Sequence, residues 1–145
     1  MNLHIEEGLK AFADAHFAAQ VPVITLDTFS STSVDELDPV KTSIIFSARD
    51  SLQHVCDELW MLIAKIVVFT PRPNGDLADH SAAILECGHR AGQLFDPANL
   101  SLLDTHLRAE ANFGTTGFWV VDSVSLDSSD QWIEELRVKI RLAEI

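Results

Sequence analysis

An α+β fold, with helices packed on a mixed or antiparallel β-sheet, is predicted by three features of the sequence. A segment with helical periodicity opens the chain, and segments with strand periodicity follow it in groups. The links between these strands are of hairpin length, which favours antiparallel neighbours over repeated βαβ units. The 145 residues are 47% hydrophobic and 22% charged, a composition typical of a globular domain. The sequence therefore predicts one domain, residues 1–145, with a single layer of helices.

The first predicted element is an amphipathic helix over Leu3–Ala18. Its apolar side recurs at intervals of three and four residues and consists of Ile5, Leu9, Phe12, Ala13, His16 and Phe17. Glu6 and Glu7 suit the positive end of the helix dipole. A short β-rich run, Val21–Leu26, follows, and then a polar loop, Thr28–Pro39.

Two strands are predicted next, at Thr42–Arg49 and Glu58–Thr70, with a polar stretch, Asp50–Asp57, between them. The second of these strands is apolar on both faces apart from Lys65. A strand of this kind is typical of the centre of a sheet that is covered on both sides. Trp60 would then be part of a closed core.

A second helix is predicted from Asp76, which serves as its N-cap, to about Phe95. Gly88 and Gly92 lie on its apolar side. Each costs about 1 kcal/mol relative to alanine inside a helix, so their position indicates close packing against the sheet.

The segment Leu103–Phe113 alternates strictly between apolar and polar residues, which predicts a strand. A helix that starts at Pro97 is the alternative. Gly114–Gly117 is predicted as a turn, and Phe118–Leu126 as the next strand. After a turn at residues 127–130, the segment Trp132–Leu142 is predicted as a long strand with one buried face.

The sequence carries no motif of a known active site. It lacks a phosphate-binding glycine loop and a nucleophile elbow. The best catalytic candidates are Glu86 and His89, which have the spacing of the Glu-x-x-His half-motif of di-iron bundles, but the chain has no second copy. His80 lies nine residues from His89, so the two imidazoles point to opposite sides of a helix. We therefore predict no catalytic residue, no bound metal and no cofactor, and a metal-dependent hydrolase is the least favoured alternative.

Trp60, Trp119 and Trp132 each lie among apolar residues in a predicted strand. This indicates packing in the core, although a ligand pocket or a subunit interface would also place tryptophans together. Cys56 and Cys87 are far apart and are predicted to be small buried residues in a reducing compartment.

The net charge of −12 argues against a protein that grips nucleic acid, because phosphates are neutralised by clustered lysine and arginine. Only Arg137, Lys139 and Arg141 form a basic row, on one face of the last strand. This row is either a solvated face or a contact to an acidic neighbour. The longest apolar run, Leu59–Phe69, is shorter than a membrane span and contains Lys65, and the chain does not open with a secretory signal.

The order of these elements resembles the tail-terminator proteins of long-tailed bacteriophages, also described as tail-completion or head-to-tail joining proteins. The resemblance rests on the opening helix, the strand pair that follows, the helix after Pro73-Asn74-Gly75-Asp76, and the two closing strands. It implies a structural protein of the virion tail, and not an enzyme. Such a protein forms a closed ring, here expected to contain six copies, that caps the tail tube and receives the head connector. DNA would pass through the ring without specific binding.

A ring of identical subunits needs two different patches that meet on neighbouring copies. If the resemblance holds, oppositely charged patches are the candidates: the acidic loop with Asp35, Glu36 and Asp38, and the basic row Arg137, Lys139 and Arg141. The main alternative is a small intracellular binding or accessory domain that is unrelated to phages.

Overall fold

The computed structural model describes residues 2–20, 26–31, 41–48, 52–71, 89–127 and 131–145. These residues form an α+β fold with a mixed six-stranded sheet, which confirms the predicted fold class. The elements are α1 (Asn2–Ala18), β1 (Asp27–Ser30), β2 (Ser43–Ser47), β3 (Leu52–Cys56), β4 (Leu59–Pro71), a 3₁₀ helix (Pro97–Asn99), α2 (Leu100–Ala111), β5 (Phe113–Asp127) and β6 (Gln131–Glu144).

The sheet runs in the order β1-β2-β4-β6-β5, and β3 also pairs with β4. Strands β1 and β2 are parallel, whereas the other pairs are antiparallel. Strand β6 pairs with β4 along its whole length, so β2 and β3 share the opposite edge of β4. As a result β3 and β5 lie on opposite sides of the β4–β6 pair.

The helices α1 and α2 pack against each other and cover one face of the sheet. Gly8 permits their close contact, because a Cβ atom there would lie 3.0 Å from a methyl carbon of Leu107. The largest fully buried side chains are Phe12, Phe46, Ile5, Leu9, Ile44, Leu62, Ile66, Leu94, Leu103, Leu107, Ile140 and Leu142. We call the face beneath the helices the inner face and the opposite face the outer face.

Strand β4 is buried on the inner face only. Its even-numbered side chains from Leu62 to Thr70 are buried, whereas Leu59 and Lys65 on the outer face are exposed. The remaining outer side chains are half-buried: Met61, Ile63, Val67 and Phe69. The prediction that this strand is covered on both faces is therefore wrong for the described residues. Trp60, near the start of the strand, is half-buried as well.

The segment 103–113 is helical up to Ala111, so the predicted strand is wrong and the alternative holds. The side chain of Asp96 accepts a hydrogen bond from the Ala98 N–H and caps the 3₁₀ helix, whose first residue is Pro97. Leu103 and Leu107, four residues apart, are both buried. The helix ends at Asn112, which adopts a left-handed conformation with φ 57°. These signals for the start, the buried side and the end of a helix outweigh the alternating pattern, because alternation of apolar and polar residues does not by itself exclude a helix.

Three further predictions are corrected. The predicted loop Thr28–Pro39 begins within a strand, β1, where the Thr28 hydroxyl donates to the Asp14 carboxylate. The predicted polar stretch after β2 contains β3. The Gly114–Gly117 segment belongs to β5 and does not form a turn. One residue between Thr115 and Gly117 has no partner on β6, so the strand continues through a β-bulge.

Two predictions about individual side chains are also wrong. Glu6 and Glu7 lie beyond the first turn of α1, which contains no acidic residue, and Glu6 is fully buried with its carboxylate accepting the Ser31 N–H at 3.3 Å. Cys56 is exposed on β3, whereas Cys87 lies outside the described residues. Residues 21–25 of the predicted first strand and most of the predicted second helix, including Gly88, also lie outside them. Residues 89–92 are helical, and Gly92 leaves room for the Glu134 carboxylate.

Candidate assembly surface

The exposed half of β5 carries an unusual number of apolar side chains. Trp119, Val120, Val121, Val124 and Leu126 are each between 40% and 57% exposed. Every residue from Trp119 to Leu126 is exposed, although the same strand begins with three buried residues, Phe113 to Thr115. We call Trp119–Leu126 the β5 arm. Soluble monomers rarely expose contiguous apolar patches unless these patches bind something.

The β5 arm is held by backbone pairing with β6. The pairing runs from Phe113 opposite Glu144 to Asp127 opposite Trp132. A second bulge, between Val120 and Asp122, shifts the register by one residue. Within the described part of the chain, the other edge of β5 has no partner strand. The backbone N–H and C=O groups of an unpaired strand edge can pair with another chain.

Trp119 lies on the outer face between two cations. The Lys139 ammonium is 5.9 Å from the ring centroid, and the Arg141 guanidinium is 5.3 Å from it. Both distances fall within the range of cation–π attraction. Lys139 is directly opposite Trp119 in the β5–β6 register, which explains the first contact.

The basic row predicted from the sequence lies on this same outer face. Arg137 and Arg141 are exposed, and Lys139 is half-buried. Arg137 is opposite Lys65 on β4 and opposite Asp122 on β5. Lys65 in turn forms a salt bridge of 3.7 Å with Glu135. The three basic side chains thus lie beside the β5 arm. Asp35, Glu36 and Asp38, the predicted acidic partners, lie outside the described residues.

A second exposed strand edge lies on the far side of the sheet, at β3. Residues 53–56 are exposed, with Val55 at 59%. His54 stacks on Trp60 with 4.8 Å between ring centroids, and its Nε2 is 2.7 Å from the Asp57 carbonyl oxygen. Within the described part of the chain, β3 pairs with β4 alone.

Three exposed carboxylates lie at this end of the sheet: Asp57 and Glu58, in the turn that follows β3, and Glu144, near the end of β6. Glu144 accepts a hydrogen bond of 3.0 Å from the Trp60 indole N–H, and its own backbone N–H donates to the Glu58 carbonyl. These contacts hold Glu144 against Trp60 at the start of β4, on the inner face of the sheet. We call Asp57 and Glu58, which directly follow β3, the acidic rim.

The tryptophans occupy three different environments. Trp60 packs edge-on against the buried Phe113, with 6.4 Å between ring centroids, and Trp132 is half-buried. Trp119 is 40% exposed, so the prediction of core packing is wrong for it. The alternative of an interface position fits Trp119 better. A signal in the sequence was available, because Gly117–Leu126 is largely apolar and contains no lysine or proline that would protect an edge.

The described residues show little that resembles a catalytic centre. His89 is exposed and contacts Gln93 at 3.2 Å, while Glu86 and His80 lie outside the described part of the chain. No group of three or more His, Cys, Asp or Glu side chains in the described residues could hold a metal ion. Two open clefts are lined by polar side chains, one beside Lys10 and Asp14, the other beside His16 and Arg90.

Two ionisable groups have shifted pKa values. Burial lowers the pKa of His16, whose ring lies 5.1 Å from that of Phe17. Burial alone would raise the pKa of Asp104, but the Thr115 N–H bond of 2.8 Å and the Arg108 ion pair of 2.9 Å together lower it. Asp104 thereby joins α2 to the first residues of β5, and its role is structural.

No protein-family model and no curated protein sequence matches this chain. In the described residues, no helix is long and apolar enough to cross a membrane.

Proposed function

We propose that this chain is a structural subunit of a bacteriophage tail, which assembles into a ring that terminates the tail tube and joins it to the head connector. The observation that carries the proposal is the β5 arm, an apolar strand with exposed side chains and an edge that no other strand of the described residues covers. Such a surface favours association of the chain with another protein subunit. The order of helices and strands supplies the link to tail terminators.

Burial of apolar area is the main source of affinity in this proposal. Full burial of a valine, leucine or phenylalanine side chain stabilises a protein by about 1.5–3 kcal/mol relative to the exposed state. The five apolar side chains of the β5 arm are already partly buried, and association would remove much of what remains. Part of this favourable free energy is offset by the translational and rotational entropy that the subunits lose when they associate.

A ring fits the surfaces better than a symmetric dimer. The two exposed edges differ in sequence and lie on opposite sides of the sheet, so one copy can use both of them at once. An interface between unlike patches passes from copy to copy and closes into a ring when the rotation allows it. The net charge of −12 would also let DNA pass without adhering, because like charges repel.

The proposal is tested by the particles that the protein forms and by the phage that lacks it. Purified chain, concentrated and imaged by electron microscopy, should give annular particles, and a phage with the gene deleted should make tails of abnormal length that fail to join heads. A terminator can remain monomeric until it meets a tube end, so the gene deletion is the decisive experiment. Normal virions from the deletion would refute the proposal.

The alternative, a small accessory domain that dimerises through one edge, predicts a different mass. Light scattering on the concentrated protein would then show two copies and no larger species. In that case the gene would also be dispensable for tail assembly.

A further inference from the structure

We infer that the β5 arm of one copy pairs with the free edge of β3 in the next copy, so that the sheet continues from subunit to subunit. This inference rests on the proposed ring and names the surfaces that form it. The occupant of the β5 edge is therefore a second copy of the same chain.

Neither edge carries a lysine or proline, and each contains one bulge, in β3 between His54 and Cys56 and in the β5 arm between Val120 and Asp122. Exposed edges are commonly protected by lysine, proline, inward-pointing charge or very short strands. Strand β3 contains no Lys, Arg, Asp or Glu, and the β5 arm contains one such residue, Asp122. From Asp122 onward the arm pairs regularly with β6, so its outer edge is straight enough to accept a strand.

Charge complementarity favours a second copy as the partner. Beside the β5 arm lie the basic side chains Arg137, Lys139 and Arg141, one strand inward on β6. The acidic rim, Asp57 and Glu58, directly follows β3 in the turn to β4. When β3 pairs with β5 of another copy, β6 is two strand spacings from it, on the order of 10 Å. Extended arginine and lysine side chains can cover much of that distance toward the carboxylates.

A symmetric pairing of two β5 arms is less favourable on the same grounds. It would bring two basic rows toward each other and leave both β3 edges and both acidic rims unused. Like charges that face each other across an interface cost several kcal/mol. Pairing of the β5 arm with β3 brings the basic row toward the acidic rim and uses both edges of each copy. We therefore favour it over the pairing of two β5 arms.

Cys56 makes the pairing directly measurable, because it is exposed on β3 and free. Residues that face each other on adjacent strands have Cα atoms about 4.5–5.5 Å apart, which is within the range for a disulfide. We would replace Ser123, Val124 and Ser125 by cysteine, one at a time, and oxidise the purified protein and isolated tails. At least one variant should give a ladder of covalent oligomers. The ladder should disappear when Cys56→Ser is added.

A pair of edge variants separates unlike from like pairing. Val124→Lys blocks the β5 arm and leaves β3 intact, whereas Val55→Lys does the reverse. Each variant alone should reduce the assembled fraction at least about tenfold, which corresponds to a penalty of ~1.4 kcal/mol. A mixture of the two should give a 1:1 dimer that grows no further. Ala109→Lys, at an exposed position on α2, is the matched control and should assemble normally.

Several outcomes would overturn the inference. Cross-links that persist as dimers after Cys56→Ser would show that two β5 arms pair with each other. Normal assembly of Val55→Lys would exclude the β3 edge. Rings and normal tails without any cross-link through Cys56 would leave the proposed function in place and remove only this interface. Normal virions from the gene deletion would remove both.

Discussion

The two ends of β5 differ in burial although they belong to one strand and share one partner, β6. Phe113 to Thr115 are buried beneath α2 and fixed to it by Asp104, whereas Trp119 to Leu126 are exposed on both faces. The first end contributes to the core of the monomer, and the second contributes little to it. The comparison indicates that one strand supplies stability at one end and, as we propose, assembly at the other. Substitutions at the two ends should therefore have separable effects.

The largest loss of stability is expected in the core beneath the helices. Phe12 is fully buried and its ring lies 5.8 Å from that of Phe95. Phe12→Ala should cost about 3–5 kcal/mol, because it removes apolar contacts and leaves a cavity. Chemical denaturation would measure the change. As the control at the exposed end of β5, Leu126→Ala should cost less than about 1 kcal/mol. An equal loss at both positions would show that the β5 arm contributes to the core.

A smaller loss is expected where the two helices meet. A side chain at Gly8 would press on Leu107, so Gly8→Val should cost about 1–3 kcal/mol through overpacking. Gly117 in β5 has no atom within 4 Å of the position of an added Cβ. Gly117→Val should therefore leave the free energy of unfolding nearly unchanged, and thermal unfolding of the two variants would test the contrast.

The link between α2 and the buried end of β5 should depend on pH. The pKa of Asp104 is lowered in the folded state, so its contribution is present above its unfolded pKa, about 4, and is lost as the pH falls through the folded value. Asp104→Asn should cost about 0.5–1.5 kcal/mol at about pH 7. It should also flatten the dependence of stability on pH below about pH 4. Glu110→Gln removes an exposed carboxylate from the same helix and is the control. A variant with the pH profile of the parent chain would show that Asp104 does not make this contribution.

The smallest effect on folding is expected on the outer face. Arg137→Glu combined with Lys139→Glu should lower the free energy of unfolding by no more than about 1 kcal/mol, because Lys139 loses its cation–π contact with Trp119. The same double variant should prevent assembly, because it places carboxylates where we propose an acidic neighbour lies. Tail length and head joining in phage that carry the variant would be scored. Normal virions would remove the basic row from the interface.

The elements that the sequence predicted well are those with one strong periodic signal. The opening helix and the strands β2, β4 and β6 were predicted within a few residues, because their buried side chains follow a single period. Leu103–Phe113 was predicted wrongly because it satisfies the strand pattern and the helix pattern together. Only the packing of Leu107 against α1 and the start at Pro97 decide between them.

The candidate surface could be predicted only in part. The basic row follows from the alternation of β6, and the structure places it on the outer face. Trp119 and the valines after it have the composition of a core strand, and nothing local distinguishes a buried strand from an exposed one. Their exposure depends on how far the helix layer extends over the sheet. This extent is a property of the tertiary structure. The same reasoning predicted that Trp60 lies in a closed core, whereas it lies near the start of β4 and is half-buried.

The offset between the two free edges sets a geometric condition on the proposed ring. Val124 of β5 is opposite Glu135 of β6, and Glu135 is opposite Val67 of β4. His54 of β3 is opposite Trp60 of β4, which precedes Val67 by seven residues. At about 3.4 Å per residue this offset is roughly 24 Å along the strands, while the four strands from β3 to β5 span roughly 19 Å across them. A planar ring closes only if its strands tilt to absorb the offset. These dimensions require a tilt of about 50° from the ring axis, somewhat steeper than the roughly 35–45° of closed barrels.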